Sequence, residues 1–279
     1  MNRNSRSAEP AAVPIGKLAL IGGGRMGQAL VDGLIAASQV AATDVHVVEP
    51  HPAAVAWWSD RHPACRVDSD IVAAVEAAAT VIIAVKPDTV ATAAGQAAGR
   101  WGGRLILSVA AGIKLDRLTD WFATDRIIRV MPNTPCLVGQ GASAYCCATG
   151  ATDLDRELAD RVLSAVGLAI EVAEKQMDAV TGLSGSGPAY VCVMIEALAD
   201  GGVLAGLPRD IAMRLATQTV LGSAAMIEQS GRHPGELKDA VASPGGTTIA
   251  GLRALEQNGF RAALIDAVAA AANRSGELG

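Results

Sequence analysis

Short apolar segments alternate with alanine-rich segments up to about residue 172, and this alternation limits the chain to few folds. The apolar segments are rich in Val, Ile and Leu, and several of the segments between them have the periodicity of a helix. Strands that are apolar on both faces are typical of a parallel sheet with helices packed on both sides. The predicted strands are KLALIG, VHVVE, TVIIAV, RLILSV and RIIRVM, with ASAYCCA and GLAIEV extending the sheet.

A glycine-rich turn follows the first predicted strand, where Gly22, Gly24 and Gly27 form the pattern G-x-G-x-x-G. In dinucleotide-binding proteins the first glycine permits a tight turn and the second lets the pyrophosphate approach the backbone. The third lets the helix pack close to the strand, and the helix N-terminus supplies N–H donors. The turn lies between a strand and an amphipathic helix, as this motif requires. Residues 17–172 are therefore predicted to form a Rossmann-type doubly wound dinucleotide-binding domain.

The second predicted strand ends at Glu49, where an acidic side chain can accept hydrogen bonds from the ribose hydroxyls of the adenosine. A carboxylate at this point also repels a 2′-phosphate, so Glu49 favours NADH over NADPH. The alternative is an ordinary solvated glutamate in the loop before Pro50, and the nearby His51 would weaken the repulsion.

Three more segments follow predicted strands and should meet at the same edge of the sheet, where ligands bind in folds of this type. AVKP (84–87) places Lys86 there, although an ordinary surface lysine is the alternative. SVAAG (108–112) has small residues that leave room for a flat ring, and RVMPNTP (129–135) is stiffened by prolines. Together they predict the second half of a dinucleotide cleft.

Residues 173–279 have no further strand pattern and are predicted to form an all-helical domain, with a dimerisation role. The helix that begins near Pro188 is apolar nearly all round from Tyr190 to Leu198. Such a helix must be buried. The other helices predicted in this region are too few to cover it, so a second copy of the chain is the expected partner. Because Glu196 and Asp200 interrupt the stretch, it is predicted to be too short and too charged for a membrane span. Further helices are predicted at 208–230, 234–242, 246–257 and 260–274.

The stretch SPGGTTIAGL (243–252) places small and hydroxyl-bearing residues at the start of one of these helices. Bare N–H groups, the helix dipole and the hydroxyls of Thr247 and Thr248 suit a small anion, most simply a carboxylate. The alternative is that Ser243 only caps the helix. With the predicted cofactor cleft, this stretch indicates a nicotinamide-dependent enzyme that acts on a small carboxylated substrate.

From about Lys17 to Arg274 the chain resembles the Δ1-pyrroline-5-carboxylate reductases, most specifically in RVMPNTP, TGLSGSGPAY, ADGGVLAGLPR and KDAVASPGGTTIAGL. The resemblance implies NAD(P)H-dependent reduction of the cyclic imine to L-proline, the last step of proline synthesis. It also implies a Rossmann domain followed by a helical dimerisation domain. Dimers of this family often assemble further into rings, commonly decamers.

The resemblance also assigns site residues. The implied cofactor-binding residues are Ile21, Gly22, Gly24, Arg25 and Met26 at the pyrophosphate, Ala84, Val85, Lys86 and Pro87 on the adenosine side, and Ala111 and Asn133 near the nicotinamide. The implied substrate-binding residues are Glu174, Ser243, Gly246, Thr247 and Thr248. A protonated imine needs little acid–base chemistry, so the Thr248 hydroxyl is expected to hydrogen-bond the ring nitrogen while catalysis rests mainly on orientation.

The chain departs from the family at three positions that bear on the cofactor. Glu49 stands where the family often has a small polar residue, and Ile71 where it has an asparagine. Both family residues can serve the 2′-phosphate of NADPH, so their replacement strengthens the expectation of NADH. Ala240 stands where many members have another asparagine near the cofactor.

Two other functions stay open from the residues. A β-hydroxyacid-type dehydrogenase shares the plan of a Rossmann domain followed by helices, but it needs a lysine base. No lysine lies between Lys175 and Lys238, and Lys238 is interpreted as structural. A non-catalytic nucleotide-binding module is the second alternative, against which the substrate-type loop argues.

Composition excludes several other partners. The net charge of −5 is spread along the chain without a basic stripe and aromatic residues are few, so nucleic acid is not an expected partner. The five cysteines have no metal-ligand spacing with the histidines, which predicts reduced thiols, no metal and a cytoplasmic protein. Residues 1–16 are predicted to be a flexible extension, because they lack the apolar segment of a secretory signal.

Overall fold

The computed structural model describes residues 15–278, so nearly all of the predicted N-terminal extension lies outside the described residues. Eight strands form one sheet in the order β3-β2-β1-β4-β5-β6-β7-β8. The strands are β1 (Leu18–Ile21), β2 (Val45–Val48), β3 (Arg66–Asp68), β4 (Thr80–Ile83), β5 (Leu105–Ser108), β6 (Ile127–Met131), β7 (Gly141–Cys147) and β8 (Gly167–Glu171). Strands β1 to β6 are parallel, which confirms the predicted doubly wound sheet.

Two strands differ from the simple pattern. Strand β3 was not predicted, because its three residues, RVD, are too few and too polar to show an apolar run. Strand β7 runs antiparallel to β6 and parallel to β8. The reason is the short connection after β6, a single 3-10 turn at Thr134–Val138. A parallel return needs a crossover of a dozen or more residues, whereas an antiparallel one does not.

Helices cover both faces of the sheet. They are α1 (Arg25–Ala36), α2 (Pro52–Arg61), α3 (Ile71–Ala77), α4 (Val90–Gln96), α5 (Leu115–Phe122), α6 (Asp153–Ser164) and the short α7 (Met177–Val180). Successive strand residues face opposite sides, so Leu20 joins one core with Leu30 and Ile21 joins the other with Phe122. Both cores consist of fully buried side chains, which explains why the strands are apolar throughout.

The rest of the chain is helical, as predicted. Its helices are α8 (Gly187–Leu204), α9 (Arg209–Ser230), α10 (Pro234–Ala240), α11 (Thr247–Gln257) and α12 (Phe260–Leu278). Gly259 separates the last two with a φ of +68°. The chain divides into two compact units, a larger one up to Gly185 with the segment from Arg274 onward, and a smaller one, Ser186–Asn273. The domain boundary predicted at residue 172 stays a prediction.

Residues 15–278 give helix α8 little cover. Ala199 is its only buried residue, and it packs against Ala212 and Ala216 of α9. Val193 is 65% exposed and Leu204 is 91% exposed. Large apolar side chains at this exposure indicate a surface that a partner covers.

The helical run that contains α8 is longer than predicted. Turns between Glu174 and Gly185 join it to the preceding segment, so the run extends from Glu174 to Leu204, 31 residues. By length and composition it could cross a membrane, so the prediction that this stretch is too short and too charged was wrong on that criterion. Only 6% of its most apolar window is buried inside the chain.

A buried ion pair supports the larger unit. The Asp155 carboxylate, fully buried, accepts hydrogen bonds from Arg126 Nη2 (2.6 Å) and Nε (2.9 Å) and from the Thr152 backbone N–H (3.0 Å). Burial alone raises the pKa of this carboxyl, but the hydrogen bonds from Arg126 and Thr152 outweigh burial, so its pKa is lowered overall. Asp155 therefore stabilises the fold while it is ionised.

We expect Asp155→Asn to lower the free energy of unfolding at neutral pH by at least about 1–2 kcal/mol, because the amide nitrogen cannot accept the hydrogen bonds that one carboxylate oxygen now accepts, and the remaining oxygen is no longer charged. The wild-type advantage should be full above the unfolded-state pKa of about 4 and should vanish as the pH falls through the lower folded-state pKa. Urea unfolding of the wild type and of Asp155→Asn across this pH range measures the difference in their free energy of unfolding. Equal stability at neutral pH would contradict the prediction.

Candidate functional site

The three fingerprint glycines each meet a different steric requirement. Gly22 has a φ of +98°, and a Cβ there would lie 2.7 Å from the carbonyl carbon of Ala84. A Cβ on Gly27 would lie 2.5 Å from the carbonyl oxygen of Gly22, so only glycine lets α1 pack this close. Gly24 has no neighbour within 4 Å of a Cβ position, which leaves open space beside the backbone. This is the geometry that a pyrophosphate requires.

The N-terminus of α1 can receive an anion. Gly24 is its N-cap and no side chain caps the first turn. The first helical hydrogen bond runs from the Gln28 N–H to the Gly24 carbonyl (2.8 Å), and the exposed Arg25 adds a positive charge. Free N–H groups, the helix dipole and a guanidinium all favour phosphate, so the residues present fit a dinucleotide.

Glu49 is part of the glycine turn rather than a freely solvated side chain. Its Oε2 accepts a hydrogen bond from the Gly23 N–H (2.8 Å), and its Oε1 accepts one from the His51 N–H (2.7 Å). Each oxygen keeps a further lone pair that could accept from a ribose hydroxyl. Both carboxylate oxygens therefore accept backbone N–H groups, and the side chain is half-buried.

Trp58 is a supporting residue that sequence reasoning missed. Its indole is fully buried, and Nε1 donates to the carbonyl of Gly23 (2.9 Å). Gln28 Nε2 donates to the same carbonyl (3.1 Å). A tryptophan on the helix after the second strand is a weak signal, because only the folded chain brings it to the turn.

The segment after β4 lies beside the glycine turn. The Ala84 N–H donates to the carbonyl of Ile21 (2.8 Å), and Ala84 and Val85 are half-buried. Lys86 and Pro87 are exposed at the carboxyl end of the strand. The structure thus brings the predicted pyrophosphate and adenosine residues together at one edge of the sheet.

The two residues predicted near the nicotinamide differ in exposure and in the hydrogen bonds they already make. Ala111 is exposed, and Gly112 beside it has a φ of +78°. Asn133 is 8% exposed, its Oδ1 accepts from the Ala142 N–H (2.8 Å), and its Nδ2 donates to the Ser184 carbonyl (3.1 Å). Both ends of this amide are already used, so in this structure Asn133 ties the loop after β6 to two neighbouring segments.

The predicted substrate loop ends in an uncapped helix N-terminus. Gly246 is the N-cap of α11, and no side chain caps that turn, so Ser243 does not serve as its cap. The Gly246 N–H donates to the Ser243 carbonyl (3.0 Å), and a Cβ at 246 would lie 2.3 Å from the Ser243 hydroxyl. Thr247 is exposed and Thr248 half-buried. The first-turn N–H groups and three hydroxyls are therefore gathered in one loop.

A cavity of about 450 Å³ lies beside this loop and has two cationic side chains in its wall. Lys238 and Arg253 line it together with Gly245 and Gly246. Lys238 also pairs with the carboxylate of its neighbour Asp239. Glu256 lies in the same wall, whereas Thr247 and Thr248 do not, so the cavity carries charges of both signs and does not include the predicted threonines.

Metal and thiol chemistry find little support in residues 15–278. No group of three or more His, Cys, Asp or Glu side chains in that range could hold a metal ion. The five cysteines are unpaired. Burial raises the pKa of the Cys146 thiol to about 12 and that of Cys65 to about 11, so neither is a thiolate at neutral pH.

Two family models match the chain. Residues 174–278 match the family described as pyrroline-5-carboxylate reductase dimerisation. Residues 17–112 match the family described as NADP oxidoreductase, coenzyme F420-dependent.

Several curated relatives match over nearly their whole length. A pyrroline-5-carboxylate reductase of Synechocystis sp. is 47% identical over 94% of this chain and 98% of its own length. One of Arabidopsis thaliana is 46% identical, covering 94% of this chain and 95% of its own. The pyrroline-5-carboxylate reductase of Escherichia coli is 40% identical, covering 94% of this chain and 98% of its own length.

Solved structures agree with these matches. A Plasmodium falciparum pyrroline carboxylate reductase with NADP bound is 32% identical, with a TM-score of 0.85 over 96% of this chain and 99% of that one. A pyrroline-5-carboxylate reductase of Coxiella burnetii is 31% identical, with a TM-score of 0.89 over 95% and 98%.

Proposed function

The chain belongs to the pyrroline-5-carboxylate reductase family, and we infer that it reduces 1-pyrroline-5-carboxylate to L-proline with a nicotinamide cofactor. The observation that carries this function is the near-full-length match to curated reductases. The uncapped N-terminus of α11, with the hydroxyls of Thr247 and Thr248, supports a carboxylated substrate. The test is oxidation of NADH by the purified protein with pyrroline-5-carboxylate. A protein that binds NADH but does not oxidise it would be the non-catalytic module.

We propose that the substrate is held and oriented by the loop before α11. The backbone N–H groups at Thr247 and Thr248 and the Ser243 hydroxyl bind the carboxylate, with Gly246 leaving the room that Ser243 needs. The Thr248 hydroxyl hydrogen-bonds the ring nitrogen. When bound, NAD(P)H would supply a hydride to the imine carbon, the carbon that becomes Cδ of proline, and the nitrogen keeps or gains one proton, which converts the C=N bond to an amine. No strong acid in this loop is needed, because orientation lowers the barrier.

The cofactor is proposed to lie along the edge of the larger unit. The pyrophosphate is assigned to the turn of Ile21, Gly22, Gly24, Arg25 and Met26, the adenosine side to Glu49 and Ala84–Pro87, and the nicotinamide end to Ala111 with Asn133. The free N–H groups of α1 and the open space at Gly24 support the first assignment. The exposed loop at Ala111 supports the last.

We propose that NADH is preferred over NADPH. This proposal is supported by the Glu49 carboxylate, which is fixed by two backbone N–H groups at the end of β2, where a negative charge opposes a 2′-phosphate. Ile71, the other position that departs from the family, is 5% exposed and packs into the core, so it offers no polar group to a phosphate.

We expect Glu49→Ser to raise the ratio of kcat/KM for NADPH to kcat/KM for NADH by about tenfold, because the fixed negative charge is lost. Steady-state kinetics with both cofactors measure the ratio. Glu76→Ser is the matched control, since Glu76 pairs with Arg100 on the surface of the same unit. A strong wild-type preference for NADPH that the variant leaves unchanged would refute the proposal.

The chain self-associates through its dimerisation region, residues 174–278. We propose that a second copy, rather than lipid, covers α8, because the family model over this helix is one of dimerisation and not of a membrane protein. We further propose that dimers assemble into decamers and that the enzyme works in the cytoplasm on a small molecule, without nucleic acid or metal. The unpaired cysteines are compatible with a reducing compartment.

A further inference from the structure

The loop between β5 and α5, residues 109–114, is fixed at both ends. At its start the Val109 N–H donates to the carbonyl of Ile83 in β4 (3.0 Å). At its end the Leu115 N–H donates to Oε1 of Glu174 (2.7 Å). The sheet therefore holds one end, and a single carboxylate, distant in sequence, holds the other.

Glu174 takes the place of a helix cap. Lys114, the N-cap residue of α5, makes no side-chain cap of its own. A carboxylate at a helix N-terminus both accepts a free N–H and interacts favourably with the dipole. Without Glu174, the first turn of α5 and the end of the loop would lose this anchor.

Arg129 in turn fixes Glu174. Its Nη1 lies 3.2 Å from the same Oε1, and the arginine is only 5% exposed within β6. In the sheet, Arg129 is in register with Ser108, the last residue before the loop, and with Cys146 on the other side. The Ser108 hydroxyl is fully buried without a hydrogen-bond partner among the described residues. Arg129 is thus a buried polar residue inside the sheet, beside the residue from which the loop departs, and the partly exposed Glu174 reaches it from the turn after β8.

We propose that Glu174 is a positioning residue for the nicotinamide. With Arg129 it holds residues 109–114 in the conformation that presents Ala111 to the nicotinamide carboxamide. This rests on the proposed function, in which that loop receives the nicotinamide. Oε1 of Glu174 accepts from both the Leu115 N–H and Arg129 Nη1, so one carboxylate oxygen joins the end of the loop to β6.

The experiment compares two probes that share the adenosine half of the cofactor. NADH contacts the loop through its nicotinamide, whereas ADP-ribose lacks that ring and binds only through the glycine turn and the adenosine side. Glu174→Ala should weaken NADH binding by at least about tenfold and change ADP-ribose binding by less than about twofold. Glu174→Gln should lie between, because an amide oxygen can still accept from Leu115. Glu171→Ala is the control, since Glu171 pairs with Arg156 at the surface nearby.

Three other outcomes would overturn the proposal. If both affinities stay unchanged while KM for pyrroline-5-carboxylate rises, Glu174 is a substrate ligand. If all kinetic and binding constants stay unchanged, the anchor has no function. If NADH and ADP-ribose weaken equally, Glu174 only maintains the fold. Should the alanine variant not fold, the glutamine variant decides by the same comparison. A wild-type protein that binds ADP-ribose but not NADH would instead contradict the proposed function.

Discussion

Replacing Val193 with aspartate should convert the protein into a species that cannot form a stable dimer. Val193 is 65% exposed on α8, inside the region that matches the dimerisation family. A dimer about this helix would bury one new carboxylate from each copy against apolar side chains, without a partner. Burying such charges costs several kcal/mol, so the dissociation constant of the dimer should rise by at least about three orders of magnitude. Sedimentation across a range of protein concentrations measures this constant.

The separated chain should also aggregate, because α8 would then expose its apolar face. Leu154→Asp is the control, since Leu154 is 44% exposed on α6, outside the dimerisation region, and should leave the assembly intact. Ile195→Asp should unfold the smaller unit instead, because Ile195 packs against the small cluster between α8 and α9. A soluble and active monomer, in the wild type or in Val193→Asp, would refute an obligate dimer.

Thr248→Val should lower kcat by roughly 10- to 150-fold while NADH affinity stays nearly unchanged. Valine keeps the shape of threonine but removes the hydroxyl proposed to hydrogen-bond the ring nitrogen. A hydrogen bond to a partly charged group contributes about 1.5–3 kcal/mol, which sets this range. The measurement is kcat and KM over pH, with NADH binding determined separately.

Thr247→Val is the matched control one residue away. If Thr247 serves chiefly the carboxylate, its loss should raise KM for the substrate more than it lowers kcat. A larger loss than the stated range for Thr248→Val would identify an essential acid, and a change below about threefold would identify a structural threonine. Kinetics like those of the wild type would leave only backbone N–H groups to hold the imine.

Most of the fold could be predicted because the strands are buried on both faces and therefore read as apolar runs. The glycine turn was predictable for a similar reason, since Gly22 and Gly27 leave no room for a side chain. Strand β3 escaped because three residues with an exposed Arg66 carry no pattern. The length of the helical run from Glu174 escaped because glycine and serine residues interrupt its helical pattern.

The site was predictable where a motif is continuous in sequence and much less so where it is assembled in space. The loop before α11 is a single stretch, so its residues could be named in advance. Trp58 contacts Gly23 only after folding and has no local pattern. Glu174 was named for the substrate, yet its contacts are with Leu115 and Arg129, which no spacing rule connects to it.

Glu49 both supports the glycine turn and, in the proposed role, selects the cofactor, and this combination restricts how such an enzyme could change its cofactor during evolution. Its carboxylate accepts a hydrogen bond from the Gly23 N–H, and Trp58 donates one to the Gly23 carbonyl. In the proposed role the Glu49 carboxylate also excludes the 2′-phosphate. A lineage that loses Glu49 removes the exclusion but also loosens the turn that every dinucleotide needs. A gain of NADPH use would therefore pass through a weaker enzyme unless a second substitution supplies a new acceptor for Gly23. The order of the two substitutions is then constrained, with the replacement acceptor arriving first.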